Sequence, residues 1–371
     1  MTVGIVGAGQ LGRMLALAGY PLGLDFRFLD REAHSPGGQV APIFCGEFGD
    51  RRLLTRLARE CEVLTVDWEN VPVNALRAVR GATRIAPPLR ALAIAQDRLA
   101  EKHLFQKLKI ATTRFARVDS ARSLERAIEA IGFPGVLKTR RLGYDGKGQR
   151  VVRTRAAARS AFDALQGAPL IYEEFVRFDF EASVIGARST RGERACYPLN
   201  ANVHKDGILR VTRAPIGSSG LAQRARAHLY AILDYFRYVG VLTIEFFVRD
   251  GRLIANEIAP RVHNSGHWTI EGAETSQFEN HLRAILGWPL GSTRARGHAA
   301  MVNLIGQMPD ARLALGQAGV HWHDYGKSPR PGRKLGHCTL VEATALKRDG
   351  RARSLLASLG LDTGVRLPRL P

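Results

Sequence analysis

The sequence predicts an α/β protein of more than one domain, on three observations. At 371 residues and 40.7 kDa the chain exceeds one ordinary core, so two or three domains are expected. Its first residues read as strand, glycine turn and helix, the opening of a doubly wound sheet. Its middle adds apolar strands that end in charged side chains and pair as hairpins around glycine-rich loops, so antiparallel elements join the parallel ones.

The opening strand is Val3 to Val6. Gly7-Ala8-Gly9-Gln10-Leu11-Gly12 follows, then an apolar helix through Ala18, and Asp30 closes the next strand, Phe26 to Leu29. A helix N-terminus preceded by glycines holds an anion, and the pattern fits a dinucleotide pyrophosphate or a single phosphate equally. A helix near Arg51 to Glu60 leads to a strand at Val63 to Val66 and to Asp67-Trp68-Glu69-Asn70. Such sheets bind ligands at this carboxyl end, though polar loop filler reads the same way. Pro87-Pro88 breaks the chain, so this unit is assigned residues 1–97.

Gln96-Asp97-Arg98 starts a helix through Leu108, and Ser123 to Ile131 is a second. Val136 to Lys138 and Arg150 to Arg153 are the strands of a hairpin around Gly143-Tyr144-Asp145-Gly146-Lys147-Gly148-Gln149. Glycine lets successive N–H groups turn toward a ligand, and lysines neutralise its charge, so the loop fits a polyphosphate. It is no P-loop, because Gly148 stands where a magnesium-holding Ser or Thr would follow the lysine. A solvated hairpin is the alternative. Leu170-Ile171-Tyr172 is a strand running into Glu173-Glu174-Phe175-Val176, with Glu181 beyond, and could grip an exocyclic amine and a ribose or simply end in solvent.

Val241 to Val248 and Leu253 to Ile258 are apolar strands around Arg249-Asp250-Gly251. A three-residue loop with Gly251 left-handed would pair Val248 with Arg252. Ala255 then faces Glu245 and Thr243 faces Glu257, so the two carboxylates lie diagonally on one sheet face, roughly 7–8 Å apart at the backbone. A two-residue loop would split them between faces. Buried carboxylates in apolar strands need a positive partner, either magnesium or nearby arginines.

Composition removes several function classes. With 45% hydrophobic and 24% charged residues the chain is globular, not disordered. No apolar run approaches the roughly 18–20 residues of a membrane span. MTVGIVGAGQ lacks the basic segment and cleavage site of a secretory signal, so a cytoplasmic protein is expected. Cys45, Cys61, Cys196 and Cys338 form no C-x-x-C pair and read as free buried thiols. The net charge of +20 comes from scattered arginines, with 7% aromatics, which argues for a field that attracts anionic small substrates rather than for nucleic acid. The Arg-rich stretch after Leu346 receives no role from the sequence.

Taken together, the lysine strand, glycine loop, carboxylate strand and glutamate hairpin resemble the ATP-grasp superfamily. Within it the chain is similar to the 5-(carboxyamino)imidazole ribonucleotide synthetases, the ATP-dependent carboxylases of bacterial purine biosynthesis. The carrying stretches are Gly7 to Met14, Gln96 to Arg98, Gly143 to Gln149, Asn256 to Gly272 and Arg330 to His337. The resemblance implies a three-domain ATP-grasp fold. A Rossmann-like pre-ATP-grasp domain would span residues 1–97, an ATP-grasp domain 98–295 with a glycine-loop subdomain at about 112–175, and a small β-rich domain 296–371.

The resemblance also assigns residues. Arg98, Lys138 and Gly143 to Gln149 (Gly143, Tyr144, Asp145, Gly146, Lys147, Gly148, Gln149) would take ATP phosphates. Glu173, Glu174, Phe175, Val176 and Glu181 would take adenosine, with His204, Asn256 and Glu257 completing the pocket, and Glu245 and Glu257 would hold magnesium. Gln10 and Leu11 would face the ribonucleotide phosphate, and Glu69 and Asn70 its base. Arg261, His263, Asn264 and Ser265 would position bicarbonate and ribonucleotide, and Lys327, Arg333 and Lys334 would clamp the ribose phosphate. Tyr144, Asp145 and Arg261 are expected at the reacting carbon, with His263 in proton transfer. Bicarbonate would be a co-substrate, with no biotin, and the enzyme would be a homodimer binding neither nucleic acid nor membrane. One departure is the presence of His323-Asp324 between His321-Trp322 and Tyr325-Gly326-Lys327, two residues beyond the family spacing.

Overall fold

A computed structural model of the chain describes residues 1–143, 148–165, 167–217, 219–368 and 370. Tyr144, Asp145, Gly146 and Lys147 lie outside the described residues.

Three sheets organise them. The first is parallel and joins β1 (Thr2–Val6), β2 (Asp25–Asp30), β3 (Ile43–Cys45), β4 (Val63–Val66) and β5 (Arg84–Ile85) in the order β3-β2-β1-β4-β5. Helices α1 (Gln10–Gly19), α2 (Arg51–Arg59) and α3 (Val73–Ala78) connect its strands. The strand order changes direction between β1 and β4, and the loops there, Gly7–Gly12 and Asp67–Asn70, open on a crevice. Asp50 caps α2 by accepting the Arg52 and Leu53 amides at 2.8 and 3.1 Å.

After α4 (Leu89–Ala95), Asp97 caps α5 (Arg98–Lys107). The second sheet is antiparallel, order β6-β9-β7-β8, from β6 (Phe115–Val118), β7 (Gly135–Thr139), β8 (Gln149–Val152) and β9 (Leu170–Glu174). The expected hairpin is present, with Lys138 opposite Gln149. Helices α6 (Ala121–Ile131) and α7 (Arg155–Leu165) cover the sheet, and Leu124 and Ile128, four apart on one helical face, pack with Leu137 and Tyr172.

The third sheet has nine antiparallel strands: β10 (Phe180–Arg188), β11 (Arg194–Cys196), β12 (Asn200–Lys205), β13 (Ile208–Ala214), β14 (Gly240–Arg249), β15 (Arg252–Ala259), β16 (His298–Ile305), β17 (Val320–Asp324) and β18 (Lys334–Glu342). Helices α8 (Ser219–Phe236), α9 (Thr269–Gly272), α10 (Gln277–Leu286), α11 (Ala311–Leu315) and α12 (Ala345–Ser358) belong to this part of the chain. Because β13 pairs with β16, the C-terminal strands extend the central sheet instead of forming a sheet of their own. Strand β15 is an edge.

The hairpin of β14 and β15 corrects the expected register. The loop has two residues, Asp250 and Gly251, both left-handed at φ 50° and 68°, and Arg249 pairs with Arg252. Val248 therefore faces Leu253, not Arg252, and Ala255 faces Phe246, not Glu245. Unrelieved, this loop would send Glu245 and Glu257 to opposite faces. A bulge between Glu245 and Phe246 inserts Asn256 as an extra residue, so Glu245 stands directly opposite Glu257 and Thr243 opposite Ala259.

Two further points differ from expectation or add to it. Cys45 is exposed, whereas Cys61 and Cys338 are buried and Cys196 is half-buried; all four are free. The C-terminal segment is tied to the central sheet through an ion-pair cluster: Arg213 of β13 reaches Asp349 at 2.8 Å and the Pro368 carbonyl at 2.7 Å, and Arg348 reaches Asp349 at 2.8 Å. Among the described residues no helix is long and apolar enough to cross a membrane.

The first and third sheets share a core. On α10, Phe278, Leu282 and Ile285 follow i, i+4, i+7 spacing and pack with Met14 and Leu15 of α1. Burying each such side chain contributes about 1.5–3 kcal/mol, which fixes the first sheet against the third and sets the width of the crevice between them.

Candidate active site

A cavity of about 600 Å³ runs from the Gly9–Leu11 turn, past Glu69 and Asn70, to the space between the second and third sheets. Most of the expected site residues reach its wall from all three sheets: Gln10, Leu11, Glu69, Asn70, Arg98, Lys138, Gly143, Gln149, Glu173, Glu174, Phe175, Val176, Glu181, His204, Glu245, Asn256, Glu257, Arg261, His263, Asn264 and Lys334.

The cavity's charge is carried by linked pairs. Arg98 Nη1 donates to Glu257 Oε2 at 2.8 Å. Lys138 Nζ lies 3.1 Å and Lys102 Nζ 3.3 Å from the same Glu173 oxygen. Burial opposes the Glu173 charge, but Lys102, Lys138 and Arg98 outweigh it and hold the carboxyl at about 2. Burial lowers Lys138, partly offset by Glu173. Burial and then the Glu257 charge push Glu245 up to about 7. Burial acts on Glu257 too, but Arg98 reverses it and the carboxyl stays below its usual range. Two half-buried carboxylates facing one another on the cavity wall, one of them driven toward the neutral form, fit a hard cation between them. The buried Asn256 Oδ1 has no hydrogen-bond partner among the described residues, which leaves it available as a further oxygen at that site. Among the described residues no group of three or more His, Cys, Asp or Glu is placed to hold a metal, and a hard cation between two carboxylates would take further oxygens from substrate phosphates and water.

At the other end, Arg261 Nε donates to Glu69 across the two sheets, and Gln96 Nε2 holds the loop beneath by donating to the Glu69 and Val71 carbonyls at 2.7 and 2.8 Å. His263 Nδ1 accepts the Ser265 amide at 3.3 Å, so in the neutral ring the proton is on Nε2, which faces Glu245 Oε1 at 3.3 Å. Burial, then Arg261 and Lys334, drive His263 well below its ordinary range, so it rests neutral. His204 is the opposite case: burial lowers it, but the Glu181 carboxylate at 2.7 Å prevails and its pKa is raised.

Four expected residues do not reach the wall. Ser265 is wholly buried, with its hydroxyl bonded to Ser183 at 2.7 Å and to His263 at 2.8 Å, so it orients His263 from behind. Gly148 turns away at φ 72°, where a Cβ would meet Thr139 at 2.6 Å. Arg333 donates to the Ser328 carbonyl at 3.2 Å. Lys327 touches the wall through the Gln10 side-chain oxygen. The added His323-Asp324 form the end of β17, paired with His337 and Gly336 without a bulge, and do not displace Lys327 from Gln10.

The glycine turn of the first sheet is occupied by the protein itself. Asp67 Oδ2 accepts the Gly9 amide at 2.6 Å and the Gly12 amide at 3.3 Å, and Asp30 Oδ2 accepts the Ala8 amide at 2.6 Å. A Cβ on Gly7, itself at φ 98°, would come within 1.9 Å of Asp67. The glycines thus make room for a buried carboxylate, and a pyrophosphate finds that place taken. This removes the dinucleotide reading.

Three family models match successive stretches of the chain. Residues 1–96 match the ribonucleotide synthetase preATP-grasp domain, 103–278 the ATP-grasp domain and 299–349 the phosphoribosylaminoimidazole carboxylase C-terminal domain. A protein of Pseudomonas aeruginosa named N5-carboxyaminoimidazole ribonucleotide synthase is 48% identical over 342 residues, covering 92% of this chain and 94% of its own. The chain belongs to the N5-carboxyaminoimidazole ribonucleotide synthases. The crystal structure of this synthase from Thermus thermophilus superposes with a TM-score of 0.92 at 50% identity, over 96% of this chain and 98% of that one. The Aspergillus clavatus synthase, in complex with ADP and 5-aminoimidazole ribonucleotide, has a TM-score of 0.90 at 31% identity, over 97% and 98%. Like its family, the protein is an ATP-dependent ligase.

Sequence reasoning missed part of this synthase site. Arg140 lines the cavity and is forked onto Asp97 at 3.0 and 2.5 Å; against the burial that would raise it, this contact holds Asp97 below its usual range. Phe178 and Phe247 stack at 4.9 Å between centroids, 15° apart, on the cavity wall. Glu101 and Lys102 are buried beneath Arg98. The signal for the last two was the charged i, i+3, i+4 face of a helix already assigned to the site; the pairing of Phe178 with Phe247 needs the third dimension.

Proposed function

We propose that this synthase joins bicarbonate to the exocyclic amine of 5-aminoimidazole ribonucleotide, converting ATP to ADP and phosphate, in purine biosynthesis. The observation that carries this is the opposed Glu245–Glu257 pair, with Lys138 and Arg98 beside it, in one cavity with the Arg261–Glu69 contact. One end has the charges of a nucleotide triphosphate site; the other has the arginine and carboxylate that a ribonucleotide base and a small anion require.

ATP would lie between the second and third sheets, with its adenine against Phe175 and Val176 and its phosphates toward Lys138, Arg98 and Arg140. Magnesium, held by Glu245 and Glu257, would neutralise phosphate charge. Bicarbonate is a poor electrophile. Its oxygen takes the γ-phosphoryl group, ADP leaves, and carboxyphosphate forms. The amine nitrogen then bonds to the carboxyl carbon, phosphate leaves, and the nitrogen gives up a proton. Capture of carbon dioxide released beside the amine demands the same placement. Arg261, steered by Glu69, is the cation for the carboxyl group, and neutral His263 directs its Nε2–H toward Glu245. Gln10, Lys327, Arg333 and Lys334 serve the ribose phosphate, and Tyr144 and Asp145 retain the reacting-carbon role given by the family motif. The enzyme acts as a cytoplasmic homodimer.

The test is ADP release with the ribonucleotide and bicarbonate supplied together or singly. ADP should form rapidly only with both. ADP formation that is equal without the ribonucleotide, or absent throughout, overturns the function.

A further inference from the structure

Arg98, Glu101 and Lys102 share one face of α5, at i, i+3 and i+4. Arg98 meets Glu257 directly. The other two are 3% and 1% exposed and have no place in the chemistry described above. A fully buried lysine is costly unless every donor is used. Here Lys102 Nζ reaches the Asn256 carbonyl at 2.9 Å, Thr112 Oγ1 at 3.1 Å, Glu173 Oε2 at 3.3 Å and the Ala255 carbonyl at 3.4 Å. Glu101 Oε1 accepts the Ile258 amide at 3.0 Å.

These contacts fall on the edge strand β15, on both sides of Glu257. An edge strand presents unpaired backbone groups, and those near a bulge have no ladder partner to fix them. On β15 they are taken by α5 and its following loop: the Asn256 carbonyl and Ile258 amide by Lys102 and Glu101, and the Ala255 amide by the Ala111 carbonyl at 2.8 Å. Asn256 is the inserted residue that turns Glu257 to face Glu245. Lys102 is also the second cation on Glu173, whose carboxylate seats the Lys138 ammonium.

We propose that Glu101 and Lys102 are positioning residues for the nucleotide–metal site: they clamp the β15 bulge around Glu257 and, through Glu173, place Lys138. This rests on the function proposed above. A single buried helix turn thereby sets the metal carboxylate on one sheet and the phosphate lysine on another, and links their geometries.

The test is calorimetric ADP binding with and without Mg2+, alongside melting temperature and ribonucleotide binding, for the whole protein. Lys102→Met should lose about tenfold or more of the ADP affinity measured with Mg2+, while ribonucleotide binding stays within about twofold. Glu101→Leu should do the same, and Glu101→Gln, which keeps an oxygen for the Ile258 amide, should recover most of the affinity. If Lys102→Met does not fold, the Glu101→Leu and Glu101→Gln pair decides. Wild-type ADP affinity and Mg2+ dependence in Glu101→Leu, or equal losses of ADP and ribonucleotide binding in step with a lowered melting temperature, overturn the proposal. A wild-type protein that binds no ADP at all would instead overturn the function.

Discussion

Glu245 and Glu257 stand opposite one another only because Asn256 interrupts the β14–β15 register. Without that inserted residue the two-residue Asp250-Gly251 loop would put the carboxylates on different faces. Glu257 also has Arg98 at 2.8 Å, so it is the member of the pair held ionised. Glu257→Gln keeps the shape and one acceptor but removes the charge. We expect ADP release to fall by at least about 10²-fold with the melting temperature little changed. Wild-type turnover in this variant would rule out the metal assignment.

Glu69 lies on the loop after β4 of the first sheet and Arg261 on the loop after β15 of the third, and their contact links the two at one end of the cavity. Glu69→Gln should leave Arg261 misaimed while the nucleotide end, at Lys138 and Glu257, keeps its own partners. The expected result is a KM for the ribonucleotide raised about tenfold, with the KM for ATP within about twofold. Equal changes in both constants would argue against the division of the cavity into two ends.

His281 sits at the junction of the same two sheets. Its Nδ1 accepts the Val241 amide at 3.1 Å, so Nε2 carries the proton and donates to Thr65 Oγ1 at 2.8 Å. Burial lowers its pKa to about 4. A depressed histidine pKa means that the unfolded chain takes up a proton first as pH falls. Stability from this group is therefore complete above about 6.5 and is lost between about 6.5 and 4, by roughly 3 kcal/mol. The melting-temperature difference between His281→Gln and wild type should therefore shift in favour of the variant as pH falls through that window, and a difference that does not vary with pH would show that His281 does not titrate there.

The elements that sequence made legible are those with local signals. The β7–β8 hairpin and the strand ending in Lys138 follow from apolar runs and glycine spacing, and the helix expected near Arg51 to Glu60 is α2. The parallel first sheet is the doubly wound unit that the opening strand, glycine turn and helix announce. Asn256 as a bulge was not legible, because nothing local distinguishes an inserted residue from the next member of a strand; the backbone contacts that define it come from α5, some 150 residues earlier in the chain. The resemblance assigns Ser265 to bicarbonate and ribonucleotide, yet the helical turn Asn264–Gly266 points its hydroxyl inward to Ser183. The glycine motif alone leaves a dinucleotide and a single phosphate both open, and the family resemblance points away from the dinucleotide; the physical reason, Asp67 aimed at the Gly9 and Gly12 amides, is a contact that no local pattern shows.

That aim has a measurable consequence. Burial, reinforced by Asp30, raises Asp67 to about 6 even though the Gly12 and Gly9 amides and Arg261 favour its charge. A raised carboxyl pKa means the folded protein holds its proton more tightly, so this group costs nothing below about 3.8 and the most above about 6, roughly 3 kcal/mol. Its slope opposes that of His281 over nearly the same window, and wild-type stability should change less between pH 4 and 6.5 than either group alone would dictate. Asp67→Asn keeps an oxygen for the Gly9 amide and removes the ionisation. It should melt higher than wild type at pH 7.5 and lose that advantage by pH 4, exposing the full acid sensitivity of His281. A melting-temperature difference between Asp67→Asn and wild type that does not vary with pH would show that Asp67 does not titrate in this window.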